Sequence, residues 1–435
     1  MTSRGTPMEF CKWAINQHLA SEDYKTALTA QEYMKRKNPT IASYQKLLYK
    51  VSGEAVPDNY GANYKLYSSF FKRFITQETQ FLLGNGVTFS NAETKDKFGT
   101  DFDTQIQKLG KNALVEKVAF GFWNFDHIEV FKMTQFVPIY DEETGGLAAG
   151  IRFWQLDQNK PLRATFYEMD GYTDFIWEKG NGRILNDKRK YILTVRVSEA
   201  DGMEILDGEN YPAFPIIPMW GNEEKQSELI GIREQIDAYD LIKSGFCNTV
   251  DEASMVYWTI QNGGGMDDID LAKFLEHMKR LRAAVVEDDG ASAESHMIEA
   301  PYQSREALLE RLRSDLYDDF MALDTKNIAN GAITATQIQA AYEPLNNKAD
   351  EFEYCVRDFI DSLMKLTGIE DEVTFTRSMV VNKQEEIQNI INSSEYLSRE
   401  YITGKILTIM GDSDQTETVL EQITTENDTM PIVEE

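Results

Sequence analysis

Apolar residues recur every three or four positions along most of the chain, which is the spacing of one buried helix face. Tyr67, Phe71 and Phe74 share such a face, and the Gly84-Asn85-Gly86 turn that follows predicts a helix end. Helices are predicted over residues 8–19, 63–83, 101–122, 225–255, 304–323, 332–366, 383–393 and 398–409.

The period changes to two between Ile128 and Val197, where apolar and polar residues alternate as in half-buried strands. Residues 141–146 and 179–182 carry the glycine, acid and amide residues typical of tight turns. We therefore predict an antiparallel meander of about six strands, closed by residues 214–220. The strands are predicted at 129–132, 136–140, 150–154, 164–167, 173–177 and 191–196.

Two of the predicted helices are long, and a small α/β insert lies between them. At about 1.5 Å per residue, a helix over 225–255 would span on the order of 45 Å, more than a typical globular helix. The returning helix, 304–323, carries a stripe that includes Leu308, Leu312 and Leu316. The insert is predicted as a strand at 257–260, a turn at 262–265, a helix at 270–280, a strand at 283–286 and a turn at 287–290.

A polar segment, 324–331, joins the returning helix to the helix from Ala332, and Pro344 lies inside that last helix. A proline in a helix removes a hydrogen bond and bends the axis. Two interpretations stay open: a built-in bend, or a helix that ends at Glu343 and restarts. Lys326, the single cation of the polar segment, is either a solvated surface lysine or a contact for a passing polyanion.

Composition restricts the function classes. The 435 residues carry 72 acidic and 44 basic side chains, a formal net charge of −28. Because phosphate binding needs clustered Lys and Arg, non-specific gripping of nucleic acid is excluded, and the charge favours solubility. Three dispersed cysteines without a CxxC pair fit a reducing compartment. With no signal peptide and no apolar run of ~18 residues, we expect a soluble chain made in the cytosol.

Local motifs for catalysis or cofactor binding are lacking. The glycine clusters at 84–86 and 262–265 lack the contexts of phosphate-binding loops, so turns explain both. Asp267, Asp268 and Asp270 resemble part of a calcium loop without its glycine and distal glutamate, and we interpret them as solvated acids. We predict no metal site, no cofactor and no enzymatic activity.

Several segments carry a resemblance by their order and spacing. They are 63–75 with 81–86, 214–222 with 227–240, 330–334 with 342–345, and 375–377 with Asn382 and 397–401. Together they resemble the portal proteins of tailed bacteriophages and prophages over nearly the whole chain. The resemblance implies an α+β portal fold with an α/β wing, two long stem helices, a small α/β clip, a kinked long helix and a helical crown.

The resemblance also assigns the parts of the chain. It implies a wing at 1–224 (N-terminal helices plus antiparallel meander), a stem helix at 225–255, a clip at 256–303, a second stem helix at 304–323, a tunnel loop at 324–331, a kinked wing helix at 332–370, a crown at 371–411 and an acidic C-terminal tail at 412–435. It implies tunnel-loop contacts to DNA from Thr325, Lys326, Asn327 and Asn330. Pro344 would provide the helix kink. Docking of terminase or adaptor proteins would use Trp258, Phe274, His277 and Arg280 in the clip.

Portal proteins usually form a ring of twelve copies at one capsid vertex, through which double-stranded DNA enters and leaves. The implied partners are the terminase large subunit, the major capsid and scaffolding proteins, and head-completion or tail adaptor proteins. The implied location is the virion, after assembly in the host cytoplasm. Two other classes stay open: a cytosolic metal-dependent enzyme with a dispersed carboxylate site, and an adaptor or scaffold protein.

Overall fold

A computed structural model describes residues 5–49, 52–58, 61–157, 159–198, 202–253, 257–261, 292–296, 302–328, 335–379 and 383–410, with residues 416, 418–420 and 422–423. Its helices are α1 Pro7–Ala20, α2 Glu22–Met34, α3 Pro39–Ser43, α4 Phe70–Leu83, α5 Ala92–Asp96, α6 Phe102–Glu116, α7 Arg233–Ala253, α8 Tyr302–Asp319, α9 Thr325–Ile328, α10 Ala335–Thr367, α11 Lys383–Asn392 and α12 Arg399–Met410. Its strands are β1 Leu47–Tyr49, β2 Ala55–Pro57, β3 Val87–Phe89, β4 Val118–Asn124, β5 His127–Lys132, β6 Phe136–Tyr140, β7 Leu147–Trp154, β8 Leu162–Glu168, β9 Gly171–Glu178, β10 Asn181–Arg189, β11 Ile192–Ser198, β12 Gly202–Glu209, β13 Ile216–Trp220, β14 Tyr257–Gln261, β15 Ser292–His296 and β16 Val373–Phe375. This mixture confirms the predicted α+β class.

The chain forms two compact units. The first comprises Met1–Ile75, Leu114–Val118 and Gln226–Phe320. The second comprises Thr76–Ala113, Ala119–Lys225 and Met321–Glu435. Each unit is therefore built from segments that are distant in the sequence.

Side-chain caps define the N-terminal helices of the first unit. Thr6 and Glu9 form a reciprocal capping box at the start of α1, where Thr6 N–H donates to Glu9 Oε2 at 2.9 Å. Ser21 and Asn38 cap α2 and α3 with their side chains, which accept the N–H groups of Tyr24 and Ile41. These bonds satisfy N–H groups that the first helical turn leaves without an intrahelical acceptor. The buried face of α1 and α2 is small and apolar, with Cys11, Ile15, Ala27 and Ala30.

Both long helices of the first unit are shorter than predicted. The chain turns at residues 226–232, and Gly231 has φ +93°, so α7 begins at Arg233 rather than at Lys225. Its 21 residues span about 32 Å instead of 45 Å, at about 1.5 Å per residue. The second helix ends at Asp319, because Met321 adopts a left-handed conformation with φ +58°.

The second unit contains several sheets, so the prediction of one six-stranded meander is wrong. Its largest sheet is antiparallel and five-stranded, in the order β10-β9-β8-β7-β6. Strand β5 and the closing strand β13 flank β4 in a separate three-stranded sheet. The remaining strands of the unit pair as β11 with β12 and β16 with β3.

The helix predicted over 101–122 also needs correction. Helix α6 ends at Glu116, Lys117 adopts φ +83°, and β4 begins at Val118. Six successive residues of β4 are buried, so the strand lacks the alternation that marks a half-exposed strand.

Aromatic rings fill the core beside the five-stranded sheet. The fully buried ring of Phe136 lies with its centroid 4.4 Å from that of Phe120 and 5.8 Å from that of Phe131. Gly150 of β7 makes room for this ring, since a Cβ there would lie 2.9 Å from Phe136 Cε1 and closer still to Cζ. The position therefore requires glycine for close packing.

The predicted clip and the C-terminal region contain elements close to those expected from the sequence. Strand β14 confirms the prediction at 257–260, and it pairs antiparallel with β15, which was not predicted. The predicted helix at 270–280 and strand at 283–286 lie outside the described residues. Helices α11 and α12, predicted at 383–393 and 398–409, pack against each other.

Candidate functional site

The two predicted stem helices, α7 and α8, pack against each other within the first unit. Arg305 of α8 donates to Thr249 Oγ1 at 2.7 Å, and its guanidinium lies 5.9 Å from the centroid of the Phe246 ring. At the other end, Gln235 of α7 donates to Asp319 of α8. The C-terminal end of α7 thus contacts the N-terminal end of α8, and the N-terminal end of α7 contacts the C-terminal end of α8. The two helices are therefore antiparallel.

Aromatic rings hold the end of this pair where α7 begins and α8 ends. Phe74 stacks on Phe320 with centroids 4.7 Å apart and meets Tyr317 edge-on at 5.1 Å. Phe70 meets Tyr239 of α7 at 5.0 Å with perpendicular planes. Edge-to-face aromatic pairs contribute about 0.5–1.5 kcal/mol each beyond their burial. The rings therefore fix one end of the helix pair rigidly.

A polar ladder runs along α7, formed by side chains of α7 and the backbone of residues 64–68. The α7 side chains are spaced by four residues and lie on one helix face. Each of these side chains accepts a hydrogen bond from a backbone N–H of residues 64–68. Because these N–H groups bond to α7, residues 63–69 do not form the start of the helix that the sequence predicts there. The bonds are Ser68 N–H to Asp240 Oδ1 at 2.8 Å, Leu66 N–H to Ser244 Oγ at 2.9 Å and Tyr64 N–H to Asn248 Oδ1 at 2.7 Å.

Two acids at the start of α7 connect it to the N-terminal helices. Asn38 Nδ2 donates to Asp237 Oδ1 at 2.8 Å and to Asp240 Oδ2 at 3.1 Å, and the Tyr33 hydroxyl donates to Asp237. Burial raises the pKa of Asp240 above its usual value, and burial next to Asp237 raises the pKa of Tyr33 to about 12. These groups form a hydrogen-bonded network that connects α7 to α2 and α3.

In the second unit, the predicted tunnel loop follows a residue that is firmly held. Leu323 is buried with Phe81, Tyr342, Leu345 and Ala349, a group named here the Leu323 cluster. The Phe81 and Tyr342 rings stack with centroids 5.7 Å apart. The cluster joins the end of α4 to the part of α10 around its proline.

Gln77 holds the backbone of Leu323 through two hydrogen bonds. Its Nε2 donates to the Leu323 carbonyl at 3.1 Å, and Leu323 N–H donates to its Oε1 at 3.1 Å. The predicted loop then begins as the short helix α9, in which Asp324 Oδ1 accepts Lys326 N–H at 3.1 Å. Thr325 and Lys326 are exposed. Asn327 lies in α9, and Asn330 lies outside the described residues.

Helix α10 continues through Pro344 without interruption. Proline has no N–H, so the carbonyl of Ala340 receives no bond from position 344. The interpretation in which the helix ends at Glu343 and restarts is therefore wrong. The bend itself stays a prediction.

The predicted docking residues of the clip are only partly described. Trp258 lies in β14 opposite Ser295 of β15. Phe274, His277 and Arg280 lie outside the described residues. Docking through these four residues therefore stays a prediction.

Within the described part of the chain, no group of three or more His, Cys, Asp or Glu side chains is arranged to hold a metal ion. The helices of that same part include none with the length and apolar character needed to cross a membrane.

Sequence reasoning missed Gln77 and the polar ladder. Gln77 has no local signal, because its partner lies 246 residues away. The polar ladder does have a local signal in the sequence, because Asp240, Ser244 and Asn248 repeat every four residues beside the apolar stripe of α7. A polar stripe next to an apolar one indicates that the helix is packed on more than one side.

Comparison with known proteins gives one family. Residues 14–429 match the family described as phage portal protein, SPP1 Gp6-like. The portal protein of Bacillus phage SPP1 is 23% identical over 384 residues, which cover 81% of this chain and 74% of that protein. The portal protein of Clostridium phage phiCD119 is 28% identical over 359 residues, which cover 75% of this chain and 77% of that protein.

Solved structures are similar at low sequence identity. A chain in the neck of an empty gene transfer agent particle has a TM-score of 0.46 and 10% identity, with 79% of this chain and 90% of that chain covered. A chain in the virion of a native gene transfer agent particle has a TM-score of 0.45 and 10% identity, with 78% and 89% covered.

Proposed function

Because the chain belongs to the family of SPP1 Gp6-like phage portal proteins, we propose that its copies close into a ring at one capsid vertex and that double-stranded DNA passes through the ring during packaging and ejection. The chain is a structural component of the phage virion, a head-to-tail connector. The observation that carries the proposal is the family match, which extends over residues 14–429.

The antiparallel pair α7–α8 is the proposed stem. Rings hold one end of the pair, and the polar ladder holds α7 along its length. Such packing resists bending, which suits the wall of a channel. The insert 256–303 connects the two helices and is the proposed clip. The proposed wing comprises 1–224 and 332–370, the crown 371–411 and the acidic tail 412–435.

Residues 324–331 are the proposed tunnel loop. Gln77 and the Leu323 cluster fix the chain just before it, and Thr325 and Lys326 are exposed just after. A fixed base with an exposed cation suits a segment that meets passing DNA. A ring would repeat Lys326 in every copy, and each phosphate contact would be individually weak and screened by salt. Weak contacts let the duplex slide.

The negative charge of the chain supports a channel that does not bind DNA tightly. A ring of twelve copies would carry about 12 × −28 = −336 formal charges. An acidic wall repels the duplex, so DNA would not adhere to it. The same charge makes the copies repel each other, and contacts between copies must be apolar or locally paired to hold.

Partner proteins follow from the proposed position at the capsid vertex. The clip, with Trp258, Phe274, His277 and Arg280, would dock the terminase large subunit and later the head-completion or tail adaptor proteins. The wing and crown would contact the major capsid and scaffolding proteins. Assembly would occur in the host cytoplasm before the chain resides in the virion, and the chain itself would catalyse no reaction.

Ring formation tests the proposal directly. Native mass spectrometry and negative-stain images of the purified chain, alone and with its phage's scaffolding and capsid proteins, should show a closed ring of about a dozen copies with a central opening. Procapsids assembled without the chain should package no DNA with terminase and ATP, and procapsids that contain it should package DNA. A chain that stays monomeric in both preparations, or procapsids that package without it, would contradict the proposal.

A further inference from the structure

A groove of about 470 Å³ opens on the first unit, beside the polar ladder. Its walls come from α7, α8, the end of α3 and the extended residues 63–65. All of these belong to the first unit, so the groove does not depend on how the two units are arranged. The ladder and the α7–α8 contacts fix its walls.

The charge of this groove is opposite to that of the chain. Lys46, Lys65 and Arg305 line it, and no Asp or Glu is among the described residues that do. The whole chain has 72 acidic against 44 basic residues, so three cations without a lining carboxylate are an unusual concentration. Lys65 Nζ donates to the Ala42 carbonyl at 2.5 Å, and Lys46 also faces Asp58 at 3.6 Å. Lys65 is thus placed by a neutral acceptor.

Large apolar side chains border the same groove and are exposed. Tyr44 is 49% exposed, Tyr64 51%, Leu241 39% and Leu308 46%. Contiguous exposed apolar residues next to polar ones mark protein–protein contacts. Nucleic-acid backbones are instead bound by cations and hydrogen-bond donors. The apolar border therefore favours a protein as the occupant.

We propose that this groove, the cationic groove, receives an acidic surface of the adjacent copy of the same chain. The inference rests on the proposed ring and names the surface that closes it. A neighbouring copy carries a net charge of −28, so its surface supplies carboxylates for Lys65 and Arg305, whose acceptors within the chain are neutral. The apolar border excludes water from these pairs, and partial burial strengthens them. The groove thereby offsets the repulsion between copies at the place where they meet.

Two single substitutions separate the charged and apolar parts of the contact. Lys65→Glu reverses a groove charge, and Leu308→Asp introduces an acid into its border. Each should raise the protein concentration at which half of the chain is assembled by about tenfold or more, measured by analytical ultracentrifugation. Matched controls are Lys72→Glu and Leu156→Asp, since Lys72 is exposed outside the groove and Leu156 is 87% exposed in the second unit. Circular dichroism should show all four variants folded.

A cross-linking measurement tests whether the groove contacts a neighbouring copy even if a charge or apolar variant folds poorly. The photoreactive residue p-benzoylphenylalanine replaces Leu308 in a mixture of isotope-labelled and unlabelled copies. In assembled rings it should form cross-links that contain one labelled and one unlabelled peptide, and the same residue at position 156 should not. Cross-links only within one copy, or rings of unchanged stability in both groove variants, overturn the inference and leave the proposed ring intact. A wild-type chain that never forms rings overturns the proposed function and this inference together.

Discussion

Gln77 carries both side-chain hydrogen bonds to the backbone of Leu323, so it tests how the proposed tunnel loop is held. The two N···O distances are 3.1 Å and 3.1 Å, and Leu323 is 8% exposed. Gln77→Met keeps the length of the side chain but can make neither bond. Gln77→Glu keeps an acceptor for the Leu323 N–H and loses the donor to the Leu323 carbonyl.

The magnitude follows from the bonds that are lost. A typical hydrogen bond contributes about 0.5–1.5 kcal/mol net, so the pair contributes about 1–3 kcal/mol. Local opening at Leu323 should therefore become about 5- to 150-fold more frequent in Gln77→Met. Gln77→Glu sets a carboxylate oxygen against the Leu323 carbonyl oxygen, so opening should also be more frequent than in the wild type even though the bond from the Leu323 N–H can remain.

Hydrogen exchange measured by mass spectrometry on peptides covering 321–328 reports this opening. Gln80→Met is the matched control, since Gln80 is exposed on the same helix. Peptides from the buried part of α10 around Phe359 should exchange as in the wild type for every variant. Unchanged exchange at 321–328 in Gln77→Met would refute the claim that these bonds fix the base of the loop.

Four further predictions address the channel, the core and the ionisation of the first unit. Lys326→Ala should shorten the packaged DNA if the loop touches the duplex, as measured on gels of DNA from filled heads, and unchanged packaging would remove this role. Pro344→Ala restores an N–H for the Ala340 carbonyl and should stabilise the chain by about 1–3 kcal/mol in urea unfolding; no gain would mean that the carbonyl is already satisfied. Gly150→Ala should cost about 1–3 kcal/mol through overlap with the buried Phe136 ring, seen as a lower Tm, and an unchanged Tm would contradict the packing argument. Because burial raises the pKa of Asp240, the wild type loses stability as pH rises above the ordinary carboxyl pKa and through the raised one. The unfolding free energy of Asp240→Asn relative to wild type should therefore increase as pH rises from about 4 towards neutral, and a constant difference would contradict this.

The boundaries of α1 and α12 could be predicted from the sequence. The predicted start of α4 was wrong, because the residues before it pack against a second helix. The 3.6-residue pattern placed α1 and α12 within two residues of their ends. The apolar pattern that starts near Asn63 is equally regular, but residues 64–68 give their N–H groups to α7. A periodic pattern records which side chains are buried, and it does not record where the backbone N–H groups find acceptors.

Strands β6 to β9 could be predicted from the sequence, and β4 and β10 could not. The alternation in the sequence placed β6 to β9 within three residues of their ends, although their observed burial alternates only in part. Strand β10 is exposed at most positions, and β4 is buried at nearly all, so neither alternates. The period-two signal disappears at both extremes of burial.

The exposed residues of the candidate site could be predicted, and the residues that position them could not. Lys326 is conspicuous as the single cation of a polar segment, and the structure places it exposed. Gln77 lies on a helix with aromatic neighbours and looks like any other half-buried polar residue. Its role depends on a backbone partner brought near by the fold, and long-range pairings of this kind leave no local pattern.

The distribution of cations bears on both the proposed assembly of the ring and the proposed passage of DNA through it. Many described cations are already held by acids of the same chain: Arg377 bonds Asp350 and Glu353 at 2.6 Å each, and Arg189 bonds Asp174 at 2.7 Å. Three cations line the cationic groove, where the neighbouring copy would lie, and one of them, Lys46, also faces Asp58. Lys326 is exposed in the proposed tunnel loop. Partial burial strengthens charge pairs in the groove, whereas salt screens an exposed lysine. Copies of the chain should therefore hold one another more tightly than they hold the duplex, which is the order of affinities that a conduit for DNA requires.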